Sequence, residues 1–209
     1  MNQAFQNELS EVITKFPNLS IRHINGKDIL KGILDICDES SEVTGSFSVE
    51  IHPTEKFPYS FPKIFEMGDD IPCNVDWHKY SDETCCITVE QDEILKCKNG
   101  ITLLYFIENM AIPYFANQLY RIKTGKYLNE YPHGKNGVRL FYAELFKSID
   151  IKFWHICYEH AFNKAQIRRN AGCYCNNGEK YKKCHMLVEE KLQVIGKQKV
   201  LNDINWITT

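Results

Sequence analysis

The sequence predicts an α+β protein: an N-terminal helix, an antiparallel strand meander, C-terminal helices and a small metal-binding knot. Three observations predict it. Apolar residues recur at helical spacing near the N-terminus, they alternate at strand spacing soon afterwards, and four cysteine and histidine residues crowd together close to the C-terminus.

Phe5, Leu9, Val12, Ile13 and Phe16 fall on one face of a helix, which Pro17 stops. Three extended segments follow, over 29–37, 44–52 and 62–67. The second alternates Phe47, Val49 and Ile51, and Asp38-Glu39-Ser40-Ser41 supplies the turn before it. An antiparallel meander packed on the first helix accommodates them. From Phe65 to Ile87 the pattern turns irregular, as in long structured loops that carry function. Residues 101–123 are apolar on nearly every face and predict a buried helix, kinked or restarted at Pro113. A second loop is expected through Pro132-His133-Gly134-Lys135-Asn136-Gly137. Helices are then expected over 138–146 and 151–165, and a last amphipathic segment over 186–195. The domain expectation is a core over 1–150 and a helical linker with the knot over 151–209.

Composition excludes several classes. The chain has no basic leader followed by an apolar run and no stretch of about 18 uncharged apolar residues, so it reads as soluble and cytoplasmic. Nine cysteines, an odd and unevenly clustered number, point to reduced thiols used as ligands or nucleophiles. Net charge is −2, yet from Lys152 onward ten Lys and Arg face five Asp and Glu. The tail is therefore basic, either as a solvated surface or as a dock for an acidic partner.

Cys173-Tyr174-Cys175 and, after eight intervening residues, Cys184-His185 supply four soft or borderline ligands, a set that tetrahedral zinc favours in closed structural sites. Asn176-Asn177-Gly178 lets the two ligand pairs face each other. This run, CYCNNGEKYKKCH, resembles the SEC-C motif, a short zinc-binding appendage. It matches at all four ligands, at the glycine and at Lys180-Tyr181-Lys182. The resemblance implies docking rather than chemistry, with zinc as a structural cofactor.

Cys85 and Cys86 end the irregular loop. A thiolate forms thioesters that amines attack, which suits acyl relay, although a free cysteine is as often simply buried. The segments FSVEIHPTEKFPYSFPKIFEMG and IPCNVDWHKYSDETCCI resemble the ubiquitin-conjugating-enzyme family over residues 5–148. Phe57-Pro58 and Phe61-Pro62 stand at its strand bend, and His78 precedes the thiol. The prokaryotic branch is closer still, with a pattern like P-x-x-x-x-R-H-x-x-x-D-G-x-L-C-L and a later HG-x-x-G matched at His133, Gly134 and Gly137. Aligning Asp82 and Ile87 with it places Cys86 at the nucleophile and Cys85 at the usual leucine. His78 is followed by Lys79 and Tyr80, so the family's oxyanion-steadying asparagine has no equivalent. His78, His133 or a backbone N–H could donate in its place.

The resemblance implies a ubiquitin-conjugating-like transferase. Cys86 would carry the C-terminus of a ubiquitin-like modifier, or of a nucleotidyltransferase of the CBASS anti-phage type, and pass it to an amine on a target protein. The chain has no Walker-type glycine loop, so an activating enzyme or another genomic neighbour would charge it. No membrane or nucleic-acid partner is expected. The alternatives are a non-catalytic binding module of the same fold and a SEC-C adaptor with the core as scaffold.

Overall fold

A computed structural model describes residues 2–129 and 132–209, and Tyr131, just before the second expected loop, lies outside them. The chain divides into two compact units, 1–88 with 96–130 and 89–95 with 131–209. The expected boundary at residue 150 falls inside the second of these units.

In the first unit, α1 (Gln3–Lys15) is capped by Asn2, whose side chain accepts from the Phe5 N–H. It buries Phe5, Leu9 and Val12 of the expected stripe, while Ile13 and, at the C-cap, Phe16 are partly buried. Four strands follow in antiparallel order: β1 (Leu19–Ile24), β2 (Lys27–Cys37), β3 (Val43–His52) and β4 (Lys63–Glu66). β1 was not expected. Its signal is Asn25-Gly26, both at positive φ, the two-residue turn that matches the twist of paired strands. Gly32 opposite Leu19 must lack a side chain, since a Cβ there would stand 2.1 Å from the Asn18 carbonyl oxygen. The inner face of the sheet sends Leu30, Leu34, Phe47, Val49, Ile51 and Ile64 into a core shared with α1. Each large apolar side chain so buried stabilises the fold by roughly 1.5–3 kcal/mol.

The expected helix over 101–123 is three consecutive segments, two α-helical ones with a π-helical one between them. α3 (Leu103–Phe106) is capped by Thr102, a π-helical turn spans Ile107–Ala111, and α4 (Ile112–Thr124) carries Pro113 in its first turn. Phe106, Ile107, Ala111 and Phe115 complete the first core.

The second unit has its own core. α2 (Glu90–Cys97) starts in this unit and ends in the first. α5 (Gly134–Phe146), α6 (Ile151–Phe162), α7 (Met186–Ile195) and α8 (Lys197–Thr208) follow. α5 falls here because Val138, Phe141, Tyr142 and Phe146 pack with Trp154, Leu192 and Ile204. Residues 134–137 of the expected loop are in fact the first turn of α5, with His133 at the N-cap position. A Cβ on Gly137 would stand 2.1 Å from the Pro132 carbonyl oxygen, so that glycine serves close approach rather than a turn. Buried Asp203 joins elements of this unit, accepting from Gln91 at 2.7 Å, Tyr142 at 2.9 Å and Lys199 at 3.0 Å. Among the described residues no helix is long and apolar enough to cross a membrane.

Candidate functional site

The loop expected to be irregular runs from Met67 to Val89, with one 3₁₀ turn at Val75–Trp77. It is folded back on the sheet edge by a few backbone contacts. Thr84 bridges to Phe65, and the Cys85 N–H donates to the Ile64 carbonyl at 2.9 Å. Lys79 pairs with Cys85 across a tight reversal in which Glu83 takes a left-handed φ of 67°. Asp82 shapes that reversal by accepting from the Thr84 N–H at 3.1 Å.

Extended backbone sends neighbouring side chains to opposite sides, and this separates the two adjacent thiols. Cys85 is buried in the first core, and burial pushes its thiol up to about 12 against the opposing pull of Tyr114 and Lys79. Cys86 is half-buried, and its Sγ accepts a hydrogen bond from the Tyr80 hydroxyl at 3.2 Å. Burial raises the Cys86 pKa, and the Tyr80 hydroxyl pulls it back. Sequence reasoning missed Tyr80, whose place opposite Cys86 depends on the reversal over 80–84. Tyr80→Phe should therefore move the pH profile of Cys86 alkylation upward. Site-resolved mass spectrometry over a pH series checks this, and an unmoved profile would remove Tyr80 from the site.

His78 caps the 3₁₀ turn in left-handed backbone, at φ 51° and ψ 34°. One of its ring nitrogens lies within 4.8 Å of Cys86 Sγ. Its carbonyl accepts from the Cys86 N–H at 2.7 Å and from the Tyr114 hydroxyl at 2.9 Å. The ring meets Tyr127 edge-on at 5.3 Å between centroids. Lys79, between His78 and Tyr80, turns inward and forms a buried ion pair with Glu66 at 2.7 Å. His133 belongs to the second unit, at the N-cap of α5, where its carbonyl accepts from the Gly137 N–H at 3.3 Å.

Cys173, Cys175, Cys184 and His185 converge, their ligand atoms all within 4.8 Å of one another. His185 Nδ1 lies 3.3 Å from Cys173 Sγ and 3.0 Å from Cys184 Sγ, and the Cys175 and Cys184 sulfurs are 3.5 Å apart. Local backbone bonds set this up. Cys173 N–H donates to the Glu179 carbonyl, Asn176 N–H to that of Cys173, and Cys184 N–H to that of Tyr181. Asn176 and Gly178 supply the two positive φ angles of the turn. Burial holds the His185 imidazole below its ordinary pKa, in the neutral form a metal needs. Burial works against a Cys175 thiolate, but the Asn177 backbone and the neighbouring thiols outweigh it and its pKa falls. Phe153 and Tyr174 flank the His185 ring, with centroids at 5.2 and 5.1 Å. Four such donors this close can hold a metal ion.

Comparisons with protein-family models, curated proteins and solved structures found no match for this chain.

Proposed function

We propose that the first unit is a ubiquitin-conjugating-like acyl carrier with Cys86 as its nucleophile. The observation that carries this reading is the contrast between two adjacent thiols. Cys85 is sealed in the core, whereas Cys86 has a hydroxyl donor on its sulfur and an imidazole close by. The order of helix, antiparallel meander, irregular loop, thiol and further helices also supports it.

At neutral pH a thiol with a raised pKa is protonated, so attack requires a proton acceptor. In this reading Cys86 gives its proton to a ring nitrogen of His78 while its sulfur bonds to the carboxyl carbon of an activated modifier. The bond from that carbon to the activating enzyme's sulfur breaks, and the departing thiolate takes up a proton. Tyr80 is placed to donate to the carbonyl oxygen as negative charge develops there, the task left open by the missing asparagine. An amine nitrogen of the target then attacks the same carbon and gives up a proton, the C–S bond breaks, and that proton goes to the departing Cys86 thiolate. The modifier is the C-terminus of a ubiquitin-like protein or of a CBASS-type nucleotidyltransferase. Zinc best matches the three thiolates and one imidazole of the knot, in a closed site that stabilises rather than reacts.

Co-expression with genomic neighbours, followed by mass spectrometry without reductant, tests the reading. A thiol-sensitive adduct is expected on Cys86, lost in Cys86→Ala and retained in Cys85→Ala. An adduct that survives Cys86→Ala would sink the assignment.

A further inference from the structure

Tyr114, Gln118 and Arg121 lie on one face of α4, at the spacing that stacks side chains along a helix. Each donates to the backbone carbonyl of a different residue in the loop before the thiol, and the three carbonyls are consecutive. Tyr114 hydroxyl reaches that of His78 at 2.9 Å, buried Gln118 reaches that of Trp77 at 2.8 Å, and Arg121 reaches that of Asp76. The Arg121 guanidinium also sits over the Trp77 ring at 3.9 Å and the Tyr127 ring at 4.4 Å. Tyr127 closes the set, with its hydroxyl 3.3 Å from Gln118 Oε1 and its ring against His78.

From this we infer that Tyr114, Gln118, Arg121 and Tyr127 form a positioning clamp that fixes the His78 imidazole relative to the Cys86 sulfur. The inference rests on the acyl-carrier reading for its purpose, though not for its test.

Two features separate a clamp from a merely well-packed loop. The first is redundancy. A single donor would satisfy one carbonyl, whereas here three successive carbonyls are read in register by one rigid helix. The second is strain. A non-glycine residue in left-handed backbone costs on the order of 1–3 kcal/mol and persists only where its surroundings over-determine it. His78 is such a residue, and its carbonyl is the one held by both Tyr114 and the Cys86 N–H. Moving that carbonyl therefore moves the imidazole and the thiol together. Arg121 adds a planar group between two rings, a fit that a lysine would not reproduce.

The test measures coupling rather than activity. The full-length protein is alkylated with iodoacetamide at neutral pH, and the rate at Cys86 is read by peptide mapping, with exposed Cys37 as internal reference. In the otherwise unchanged chain, His78→Gln is expected to slow Cys86 about tenfold, equivalent to about 1.4 kcal/mol. In an Arg121→Met background the same substitution is expected to change the rate by less than about twofold, because the imidazole is already misplaced. Additive effects in a folded double variant would overturn the clamp, as would a His78→Gln rate equal to that of the unchanged chain. Should Arg121→Met fail to fold, Tyr114→Phe removes a single hydroxyl and serves the same comparison. Coupling without any thioester adduct would leave the clamp standing and defeat the acyl-carrier reading, while an adduct without coupling would do the reverse.

Discussion

Cys173→Ala should yield a protein that binds no metal at the knot and whose second unit melts well below that of the unaltered chain. The segment between α6 and α7 has little else to hold it. Among the described residues it contains one short 3₁₀ turn at Tyr181–Lys183 and one isolated bridge, Gly172 to Lys180. Between residues 163 and 185 only Cys173, Tyr181 and His185 are buried. Structural zinc in such sites contributes on the order of 10–16 kcal/mol of folding energy, comparable to the whole stability of an ordinary domain at about 5–15 kcal/mol. The loss should spread, because His185 is also the N-cap residue of α7 and packs against Phe153 of α6. Elemental analysis should find about one metal per chain before substitution and none after. Thermal melts with and without chelator give the second arm. A chelated, metal-free protein that melts unchanged would show that the four side chains merely pack.

The second large effect is expected at Lys79. Its ammonium is buried, donating to Glu66 Oε2 at 2.7 Å and to the Ile71 carbonyl at 3.2 Å, while Glu66 Oε1 accepts from the Gly68 N–H. Removing one partner strands the other charge, so Lys79→Met should destabilise the first unit by about 3–5 kcal/mol. Adding Glu66→Leu should recover much of that, since no charge is then left unpaired. Denaturant titration of the single and double variants measures both, and a double variant no better than the single would contradict the account. The pH dependence has a definite sign. Burial opposes the Lys79 charge, but Glu66 outweighs it and raises the pKa. The stability linked to the Lys79 proton is thus full just below the unfolded lysine value of about 10.4 and is lost as pH rises through the higher folded value.

The elements legible in the sequence were those whose burial follows a single apolar period. Phe5, Leu9 and Val12 wrote α1 plainly, and Phe47, Val49 and Ile51 wrote β3. α2 was not legible because its two fully buried residues are Gln91, a polar side chain serving Asp203, and Cys97 at its end, which together make no apolar stripe. α8 did carry a readable stripe in Val200, Ile204 and Ile207, interrupted by buried Asp203. Gly134 and Gly137 read as loop because glycine usually marks turns; Gly134 does use its positive φ, but Gly137 lies in a helix where its backbone approaches Pro132. The four knot residues were legible because ligand spacing is local. The surroundings of Cys86 were not, for Tyr80 and the α4 donors reach it only through backbone reversals and positive φ angles at His78 and Glu83.

The division of the chain carries a consequence for its synthesis. Residues 89–95 leave the ribosome well before the 131–209 segment whose core they join. At about 5–20 residues per second, Val89, Ile94 and Leu95 wait several seconds with their apolar sides unpaired. The first unit cannot be released by a cut at residue 130 without keeping that orphaned turn of helix, nor can the second be expressed from residue 131 without losing it. The two units are woven by the chain rather than strung along it, and a fragment boundary must respect the weave.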